Sequence, residues 1–380
     1  MGQIGKYLNG RAFKEADWKS SGRPIIRIQN LTGSGKSFNY FQGEVEPRYL
    51  VEEGDLLFSW AATLGTYIWH GPEAVLNQHI FKVQSNINPR FHRYLLEHSI
   101  QEMQSKTHGS GMVHITKSEF DKIEVLIPPL DEQRRIVETL DDQLSRLDKA
   151  LAEVTSALRK FETLERSAMA LHFATSAENA SVKATKIADV TEKAKSIDPK
   201  SLGADAFKYV DISSISPDSE TPNVSEWTLT SAAPSRARQH IKLGDVVFST
   251  VRPYQKKIAI VKEDLDGHIA STGFCILRPV PGVLDTRYLF HYLKSDVLMD
   301  QVLPLQRGAS YPAVGDSDVK NATIPLPDLA TQIAIAEELD SVVGIVKSLK
   351  SQLHDIAKTG DTMRRTILHS AFSGKLLEEK

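Results

Sequence analysis

Cysteine is almost missing from this sequence, with Cys275 the single example among 380 residues. One cysteine excludes a disulfide framework and a thiolate metal cluster, and the apolar run around it predicts a buried, unreactive thiol. The sequence also has no apolar stretch long enough to cross a bilayer and no signal-peptide pattern at its start. We therefore expect a cytoplasmic protein that does not bind a membrane.

Complete motifs for catalysis or cofactor binding are also missing. Residues 32–37 (TGSGKS) resemble the end of a phosphate-binding P-loop, but position 30 is Asn30 rather than glycine. A basic, glycine-rich loop that touches DNA phosphates fits this segment equally well. Residues 127–130 lack the polar group and the aromatic ring of an adenine methyltransferase motif, and no metal-ligand spacing of histidines or nuclease-like carboxylate set is found. We expect no catalytic residue, no metal site and no cofactor in this chain.

A strong excess of one charge sign is also lacking, since the formal net charge is −2. The charges are unevenly distributed, however. Seven basic residues lie in 6–36 against Glu15 and Asp17, and six lie in 236–257 against Asp245 alone. Either cluster by itself could be an ordinary solvated face, but one cluster in each half of the chain favours a shared anionic ligand.

What the sequence does contain is a duplication, at an interval of 190 residues for its first motif that rises to 199 residues in the helical runs. The segment Gly54–Ser59 (GDLLFS) has its counterpart in Gly244–Ser249 (GDVVFS), and IPPLD at 127–131 corresponds to IPLPD at 324–328. A long run of helix-forming residues follows each second motif. Two matching modules predict a molecule with approximate twofold symmetry, which suits a partner with two halves such as duplex DNA.

Both helical runs carry a 4-3 apolar repeat, which is typical of a coiled coil. In the first run it comprises Leu140, Leu144, Leu147, Leu151, Val154, Leu158 and Phe161. In the second it comprises Leu339, Val342, Val346, Leu349, Leu353, Ile356, Gly360, Met363 and Ile367. A solitary amphipathic helix on a core is the alternative. A parallel pair would require the second globular part to return along roughly 60 Å of helix, so we expect antiparallel packing with the globular parts at opposite ends.

These features predict an α+β protein with two mixed α/β recognition domains in tandem, joined by two long antiparallel coiled-coil helices with pseudo-twofold symmetry. We place the first recognition domain at 1–130 and its spacer helix at 131–176. The second recognition domain follows at 177–327, and the second spacer helix at 328–380.

The chain resembles the specificity subunit of type I restriction-modification systems over nearly its whole length. The residues that carry the resemblance are NGRAFK at 9–14, Asp17-Trp18, IRIQNL at 26–31, the duplicated GDxxFS, PPLDEQ at 128–133 and RRTILHSAFSGKL at 364–376. Their order, their duplication and the two heptad helices make the resemblance specific.

The resemblance implies a non-catalytic subunit that reads a split target in double-stranded DNA, one half with each recognition domain. The helices would set the gap between the halves and dock two methyltransferase (modification) subunits that use S-adenosylmethionine. Restriction and translocation subunits that use ATP and Mg would join the complex.

DNA binding requires cations for phosphates and planar polar groups for base edges. In the first domain we predict contacts from Arg11, Lys14, Arg27, Gln29, Asn30, Lys36, Trp60, Thr63, Tyr67, Asn77, Gln78, His79, His108 and Ser110. In the second we predict Arg236, Arg238, Arg252, Tyr254, Lys256, Lys257, Gln306, Arg307, Ser310 and Tyr311.

Two other functions are weighed against this one. A coiled-coil scaffold that links two protein-binding domains without reading DNA is the main alternative, and the two basic segments argue against it. An enzyme with its own methyltransferase or nuclease activity is a third, against which the missing cofactor and metal motifs argue.

Overall fold

The computed structural model describes residues 1–35, 37–61, 63–106, 120–178, 182–217 and 219–373, with the side chains of 101–106 and 175–178 left aside. The chain divides into two compact units. Unit 1 comprises Met1–Val154 and His354–Lys380, and unit 2 comprises Thr155–Leu353. Each unit therefore contains one globular part and portions of both long helices.

Unit 1 contains eight described strands and two shorter helices ahead of the first long helix. The strands are β1 (Gly5–Asn9), β2 (Arg23–Ile26), β3 (Asn39–Phe41), β4 (Leu50–Val51), β5 (Leu56–Ser59), β6 (Gly65–Ile68), β7 (Ala74–Leu76) and β8 (Ile80–Ser85). The helices are α1 (Ile28–Leu31), α2 (Pro89–Lys106) and the long α3 (Leu130–Glu178).

Unit 2 contains ten described strands. They are β9 (Lys183–Lys186), β10 (Thr191–Glu192), β11 (Ala206–Val210), β12 (Trp227–Leu229), β13 (Ala237–His240), β14 (Val246–Ser249), β15 (Ile258–Ile260), β16 (Ile269–Ser271), β17 (Phe274–Pro279) and β18 (Thr323–Leu326). Its helices are α4 (Thr286–Lys294), α5 (Asp296–Val302), α6 (Asp316–Asn321) and the long α7 (Leu329–Phe372).

The two units repeat the same sheet topology. Unit 1 has sheets ordered β1-β8-β5-β6 and β3-β2-β7-β4, and unit 2 has sheets ordered β10-β17-β14-β15 and β12-β11-β16-β13. In both units the second sheet has one parallel pair, β2 with β7 and β11 with β16. The predicted α+β fold with two sheet-containing modules is confirmed.

The duplicated GDxxFS motif forms the same turn and central strand in both units. Gly54 and Gly244 have positive φ (91° and 82°), a conformation that favours glycine. The carboxylates of Asp55 and Asp245 each accept a backbone N–H from three residues earlier at 2.8 Å. The motif is therefore a structural element, not a ligand site.

The strand that follows this turn is fully buried because both of its faces are covered. Leu56 and Phe58 pack in the core that includes the long helices, whereas Leu57 between them packs in the core of the second sheet. In unit 2, Val246 and Phe248 lie in one core and Val247 in another. Side-chain alternation along a strand places each sheet between two cores.

The second unit has one strand pair without a described counterpart in the first. Strand β9 pairs antiparallel with β18, and Ile187 directly after it donates its N–H to Ala322 O at 3.0 Å. In unit 1 the amino group of Met1 donates in the same manner to Ile123 O at 2.6 Å.

Buried glutamines join each long helix to its globular part in the same way. Gln133 accepts the N–H of Asn88 and donates to Pro128 O, at 3.0 and 2.8 Å. Gln332, 199 residues later, accepts the N–H of Asp285 and donates to Pro327 O, both at 2.9 Å. These bonds fix the angle at which the chain enters each helix.

The long helices pack antiparallel within each unit. In unit 1, Leu144 and Leu151 of α3 lie near Leu368 and Gly360 of α7, so that the order along one helix is reversed on the other. In unit 2, Glu165 lies 3.2 Å from Lys350 and His172 lies 3.4 Å from Glu338, so the order is again reversed. Helix–helix packing with this orientation confirms the prediction within each unit.

Two predicted seam positions on α7 are wrong. Ile356 and Met363 are about half exposed, whereas Gly360 and Leu368 are buried and Arg364 lies between them. An α-helix has 3.6 residues per turn, so its buried stripe drifts away from a strict 3.5-residue repeat. Ion pairs of Arg364 with Glu97 (2.9 Å) and Asp148 (2.5 Å) allow this long side chain to take a seam position.

Candidate nucleic-acid interface

Three loops of unit 2 converge at one end of its first sheet. The loop after β14 begins with Thr250, whose N–H and hydroxyl both donate to Gly273 O at 2.9 Å. In the same loop, the N–H of Arg252 donates to Pro312 O at 2.8 Å. The segments 250–257, 271–273 and 306–313 therefore form one surface, although they are far apart in the sequence.

The first of these loops has an unusual backbone. Arg252 and Lys256 have φ of 49° and 50°, and in the described parts of the chain they are the non-glycine residues with positive φ. They flank the single turn Pro253–Gln255, on which Tyr254 is half exposed. Left-handed backbone at residues other than glycine is unfavourable and is found most often at functional sites.

The third loop supplies an aromatic platform for Arg252. Tyr311 is 72% exposed, and its ring lies 5.3 Å from the Arg252 guanidinium carbon. Gly308, with φ of 92°, provides the turn that returns the chain to Tyr311. Gln306 is partly buried, whereas Ser310 is exposed beside Tyr311.

Most of the basic side chains predicted to bind DNA in unit 2 already have acceptors. The pairs are Arg238 with Asp198 (3.1 Å), Lys256 with Asp296 (2.8 Å), Lys257 with Ile212 O (3.0 Å) and Arg307 with Asp318 (3.5 Å). Among the described residues, the side chains of Arg252 and Arg236 have neither a carboxylate nor a carbonyl acceptor, and Arg236 is exposed. The structure thus singles out two cations from the six.

Asp296 holds the end of the first loop in place, and the sequence did not point to this residue. Its two carboxylate oxygens accept from Lys256 Nζ and from Arg166 of α3, each at 2.8 Å. Burial alone would raise the pKa of Asp296, but the hydrogen bonds from Lys256 and Arg166 outweigh it and lower the pKa. No pattern near position 296 or 166 signals this pairing.

Unit 1 forms the matching loop arrangement at the end of β5. Trp60 donates its N–H to His79 O at 3.4 Å, as Thr250 does to Gly273 O. The Trp60 ring lies 5.9 Å from the His79 ring, and its Nε1 donates to Asn9 Oδ1 at 3.3 Å. The Ser59 hydroxyl donates to the backbone carbonyl oxygen of Thr63 and closes this loop.

Arg11 and Asn77 meet at the same end of unit 1. They form a parallel backbone bridge, and Arg11 lies 5.2 and 5.0 Å from the rings of Phe13 and Phe41. A weak ion pair joins Arg11 to Asp17 at 3.8 Å. Next to Asn77, the Gln78 amide nitrogen lies 3.3 Å from His79 Nε2, and Gln78 Oε1 is buried without a partner among the described residues.

Arg27 lies close to this group because the N–H of Asn77 donates to Ile26 O at 3.1 Å. Its guanidinium carbon is 4.3 Å from the centre of the Trp18 ring, which resembles the Arg252–Tyr311 arrangement. Lys14, which precedes Trp18 by four positions in the sequence, is exposed. Trp18 was not among the predicted contacts, although an aromatic residue close to basic residues is a usable signal.

Gln29 and Asn30 have local roles in the glycine-rich loop. Asn30 accepts the N–H of Arg27 and donates to Ser37 O, both at 3.0 Å, and Gln29 O accepts the N–H of Gly35 at 3.0 Å. Strand β3 follows the loop where a P-loop would require a helix. The segment therefore differs from a P-loop in the element that follows it.

The remaining predicted residues are placed differently or lie outside the described ranges. Tyr67 is on strand β6, not on a loop, and packs against the core of the second sheet. Lys36, His108 and Ser110 lie outside the described residues.

Two general properties complete the description of the site. Within the described ranges, no helix combines the length and apolar character that crossing a membrane requires. In those same ranges, no three His, Cys, Asp or Glu side chains come together as a metal site would need. Cys275 is buried, and burial raises the pKa of its thiol, as expected for an unreactive side chain.

Comparisons with a family model and with known relatives agree on one protein family. The family model for the type I restriction modification DNA specificity domain matches twice, at residues 1–155 and 181–356. The chain is 21% identical, over 99% of its length and 85% of the relative, to the EcoBI type I restriction enzyme specificity subunit of Escherichia coli. It is 23% identical, over 86% of its length and 80% of the relative, to the MjaVIII specificity subunit of Methanocaldococcus jannaschii.

Solved structures agree on the fold. A chain from a type I R-M system, described for its complex assembly and conformational transition, has a TM-score of 0.71 to this protein at 19% identity. The match covers 98% of this chain and 96% of the other. At this identity the likeness concerns the fold alone.

Proposed function

Because the chain belongs to the type I restriction-modification DNA specificity family, we propose that it reads a two-part target in double-stranded DNA. Unit 1 would read one half and unit 2 the other. The chain would also carry the methyltransferase and restriction subunits on its long helices.

The observation that carries this proposal is the duplicated loop surface. In both units the loop after the GDxxFS strand is hydrogen-bonded to the loop before a neighbouring strand of that sheet, β8 or β17. The bond joins Trp60 to His79 in unit 1 and Thr250 to Gly273 in unit 2. Each surface presents an arginine stacked on an aromatic ring. Two equivalent surfaces with cations and planar groups match a ligand with two halves and an anionic backbone.

The residues of these surfaces divide into two kinds of contact. Exposed cations without a carboxylate partner among the described residues, Lys14 and Arg236, would bind phosphates. Stacked or amide side chains such as Arg27, Asn77 and Arg252 would face base edges, because arginine suits guanine and asparagine suits adenine. Phosphate contacts set affinity, and base contacts set specificity.

Docking of partner subunits is supported by equivalent apolar residues on the two long helices. Leu164 of α3, in unit 2, is 52% exposed, and Met363 of α7, in unit 1, is 50% exposed. Their positions differ by 363 − 164 = 199 residues, the interval of the repeat in the helical runs. One exposed apolar side chain at the same place in each repeat suits two copies of one partner.

In this proposal the chemistry belongs to the partners. Two modification subunits would bind S-adenosylmethionine and transfer its methyl group to adenine. The restriction subunits would use ATP and Mg for translocation and cleavage. The specificity chain positions these subunits on the DNA that it has selected.

A binding experiment with the full chain and its modification subunits tests the proposal. We expect target duplex to bind at least about 10³-fold more tightly than scrambled duplex, and the logarithm of each affinity to fall linearly with the logarithm of salt concentration. A scaffold that does not read DNA would show neither the preference nor the salt dependence.

A further inference from the structure

We propose that Arg252, supported by Tyr311, recognises a guanine in the major groove of the half-target bound by unit 2. This inference rests on the proposed function and adds the identity of one base. It depends on the availability of the Arg252 guanidinium, on its backbone and on its surroundings.

Arg252 is available for a ligand, unlike most of its basic neighbours. Lys256 and Arg307 in the same loop surface are held by Asp296 and Asp318. For Arg252 the described residues contain no carboxylate within ion-pair distance, and its guanidinium contact is the Tyr311 ring. A cation–π contact of this kind does not require the N–H donors of Arg252, which have no hydrogen-bond acceptor among the described residues.

The position of Arg252 is fixed before any ligand binds. Its left-handed backbone (φ 49°, ψ 57°) is held by the N–H bond to Pro312 O, against the preference of a residue before proline for extended backbone. The neighbouring Val251 forms a backbone bridge with Ala313. Strained backbone of this kind persists only where the surrounding structure determines it, and here it places one side chain beside one ring.

The chemistry of this arrangement matches guanine. The guanidinium presents two parallel N–H donors, and guanine offers two acceptors, O6 and N7, side by side in the major groove. Adenine, cytosine and thymine do not present that pair. Tyr311 is 72% exposed, so the Arg252–Tyr311 pair is open to solvent, where a groove could reach it.

The target sequence is first identified from the methylation pattern that the complex leaves on its host DNA. Single guanines in a duplex of that sequence are then replaced by base analogues. 7-Deazaguanine removes the N7 acceptor, whereas inosine keeps both O6 and N7. With the wild-type chain and its modification subunits, we expect 7-deazaguanine at one position to weaken binding by about 5- to 100-fold, and inosine there to have little effect.

Two variants identify the residue that makes this contact. Arg252→Lys keeps the charge but loses the planar fork, so it should bind random duplex normally and show a smaller 7-deazaguanine effect at that position. Arg252→Ala, which removes every donor, should be insensitive to 7-deazaguanine there. Arg236→Ala, the matched control, should weaken all duplexes alike and remain sensitive to 7-deazaguanine.

Other results would overturn the inference. If every 7-deazaguanine effect persists in both Arg252 variants, Arg252 does not read guanine. If Arg252→Ala weakens random and target duplex by the same factor, the residue contacts phosphate. If the wild-type complex binds all duplexes alike, the proposed function itself fails, and this inference fails with it.

Discussion

Lys256 Nζ lies 2.8 Å from Asp296 Oδ1, and this ion pair connects the strained loop of unit 2 to its helical framework. The second carboxylate oxygen of Asp296 is bound by Arg166 of α3 at the same distance. A change in the position of α3 within this unit would therefore reach the loop that carries Arg252. The pair is partly exposed, so its role is to position the loop more than to stabilise the fold.

Replacing Asp296 with Asn should distinguish the effect of loop geometry on DNA affinity from the effect of overall charge. We expect affinity for target DNA to fall about tenfold, or about 1.4 kcal/mol, because Lys256 no longer holds the loop. Affinity for random duplex should stay the same or rise, because one negative charge is removed. Fluorescence anisotropy with both duplexes measures the two effects.

The matched control is Asp264→Asn. Asp264 pairs with Lys208 of the same unit at 3.0 Å, outside the three converging loops. Its replacement also removes one negative charge but should leave target affinity intact. An equal loss of target affinity in both variants would show that Asp296 does not act by positioning the loop.

The packing of Gly360 against Leu151 gives a test of the helix register in unit 1. A Cβ built at Gly360 would lie 2.6 Å from Leu151 Cδ2. Gly360→Leu should therefore lower the free energy of unfolding by about 1–3 kcal/mol through overpacking. In the double variant Gly360→Leu, Leu151→Ala, much of this loss should be recovered, with a coupling energy of about 1 kcal/mol or more.

Urea unfolding of the full chain provides these free energies. Strict additivity of the two substitutions would show that the side chains at 360 and 151 do not meet, and the antiparallel register described for unit 1 would then be incorrect.

The equivalent residues Leu164 and Met363 provide a test of partner docking. We expect Leu164→Glu and Met363→Glu each to remove one of two bound modification subunits, and the double variant to remove both. A buried charge without a partner opposes such an interface. Analytical ultracentrifugation or native mass spectrometry gives the stoichiometry.

Leu229→Glu is the control for that experiment, since Leu229 is similarly exposed (59%) but lies on strand β12. It should leave the stoichiometry unchanged. Full occupancy in the double variant would place the docking surface elsewhere.

His92 makes a pH-dependent contribution to the stability of unit 1. Burial, with a smaller effect of the positive N-terminus, lowers its pKa to about 4; Tyr7 and Ser85 bind its ring nitrogens at 2.7 and 2.8 Å. The unfolded chain, with an ordinary histidine pKa near 6.5, takes up a proton that the folded chain does not. Stability from this source is complete above pH 6.5 and is lost as the pH falls towards 4.

Between pH 7 and pH 5, the free energy of unfolding should therefore fall by about 2 kcal/mol more in the wild type than in His92→Gln. The other titrating groups are the same in both proteins, so their contributions to the change in the free energy of unfolding cancel in this comparison. Urea unfolding followed by tryptophan fluorescence reports this change, since three of the four tryptophans (Trp18, Trp60 and Trp69) lie in unit 1. Parallel pH curves for the two proteins would contradict the assignment.

The repeat made much of the fold predictable. Gly54 and Gly244 occupy the same left-handed turn, and the apolar residues after each of them form buried strands, as local chemistry requires. The long helices begin at Leu130 and Leu329, directly or shortly after the prolines at 128, 129, 325 and 327 and close to the predicted starts at 131 and 328. Their seam was harder to predict, because Arg364 is a polar residue that occupies a core-facing position only through partners distant in sequence.

The candidate site was less predictable than the fold. The basic clusters indicated where cations are concentrated, but not which of them are neutralised, because Asp198, Asp296 and Asp318 come from other segments. The left-handed backbone of Arg252 has no sequence signal such as glycine. Short-range patterns predict elements, whereas ion pairing and loop convergence depend on the tertiary fold.

The most direct test of the account is sequencing of methylated adenines in a host that carries this chain with its modification subunits. We predict a motif with two specified halves separated by an unspecified gap of constant length, and Arg252→Lys should relax one guanine in one half while leaving the other half unchanged. A single uninterrupted motif, or methylation without sequence preference, would contradict the reading of DNA by two separate units.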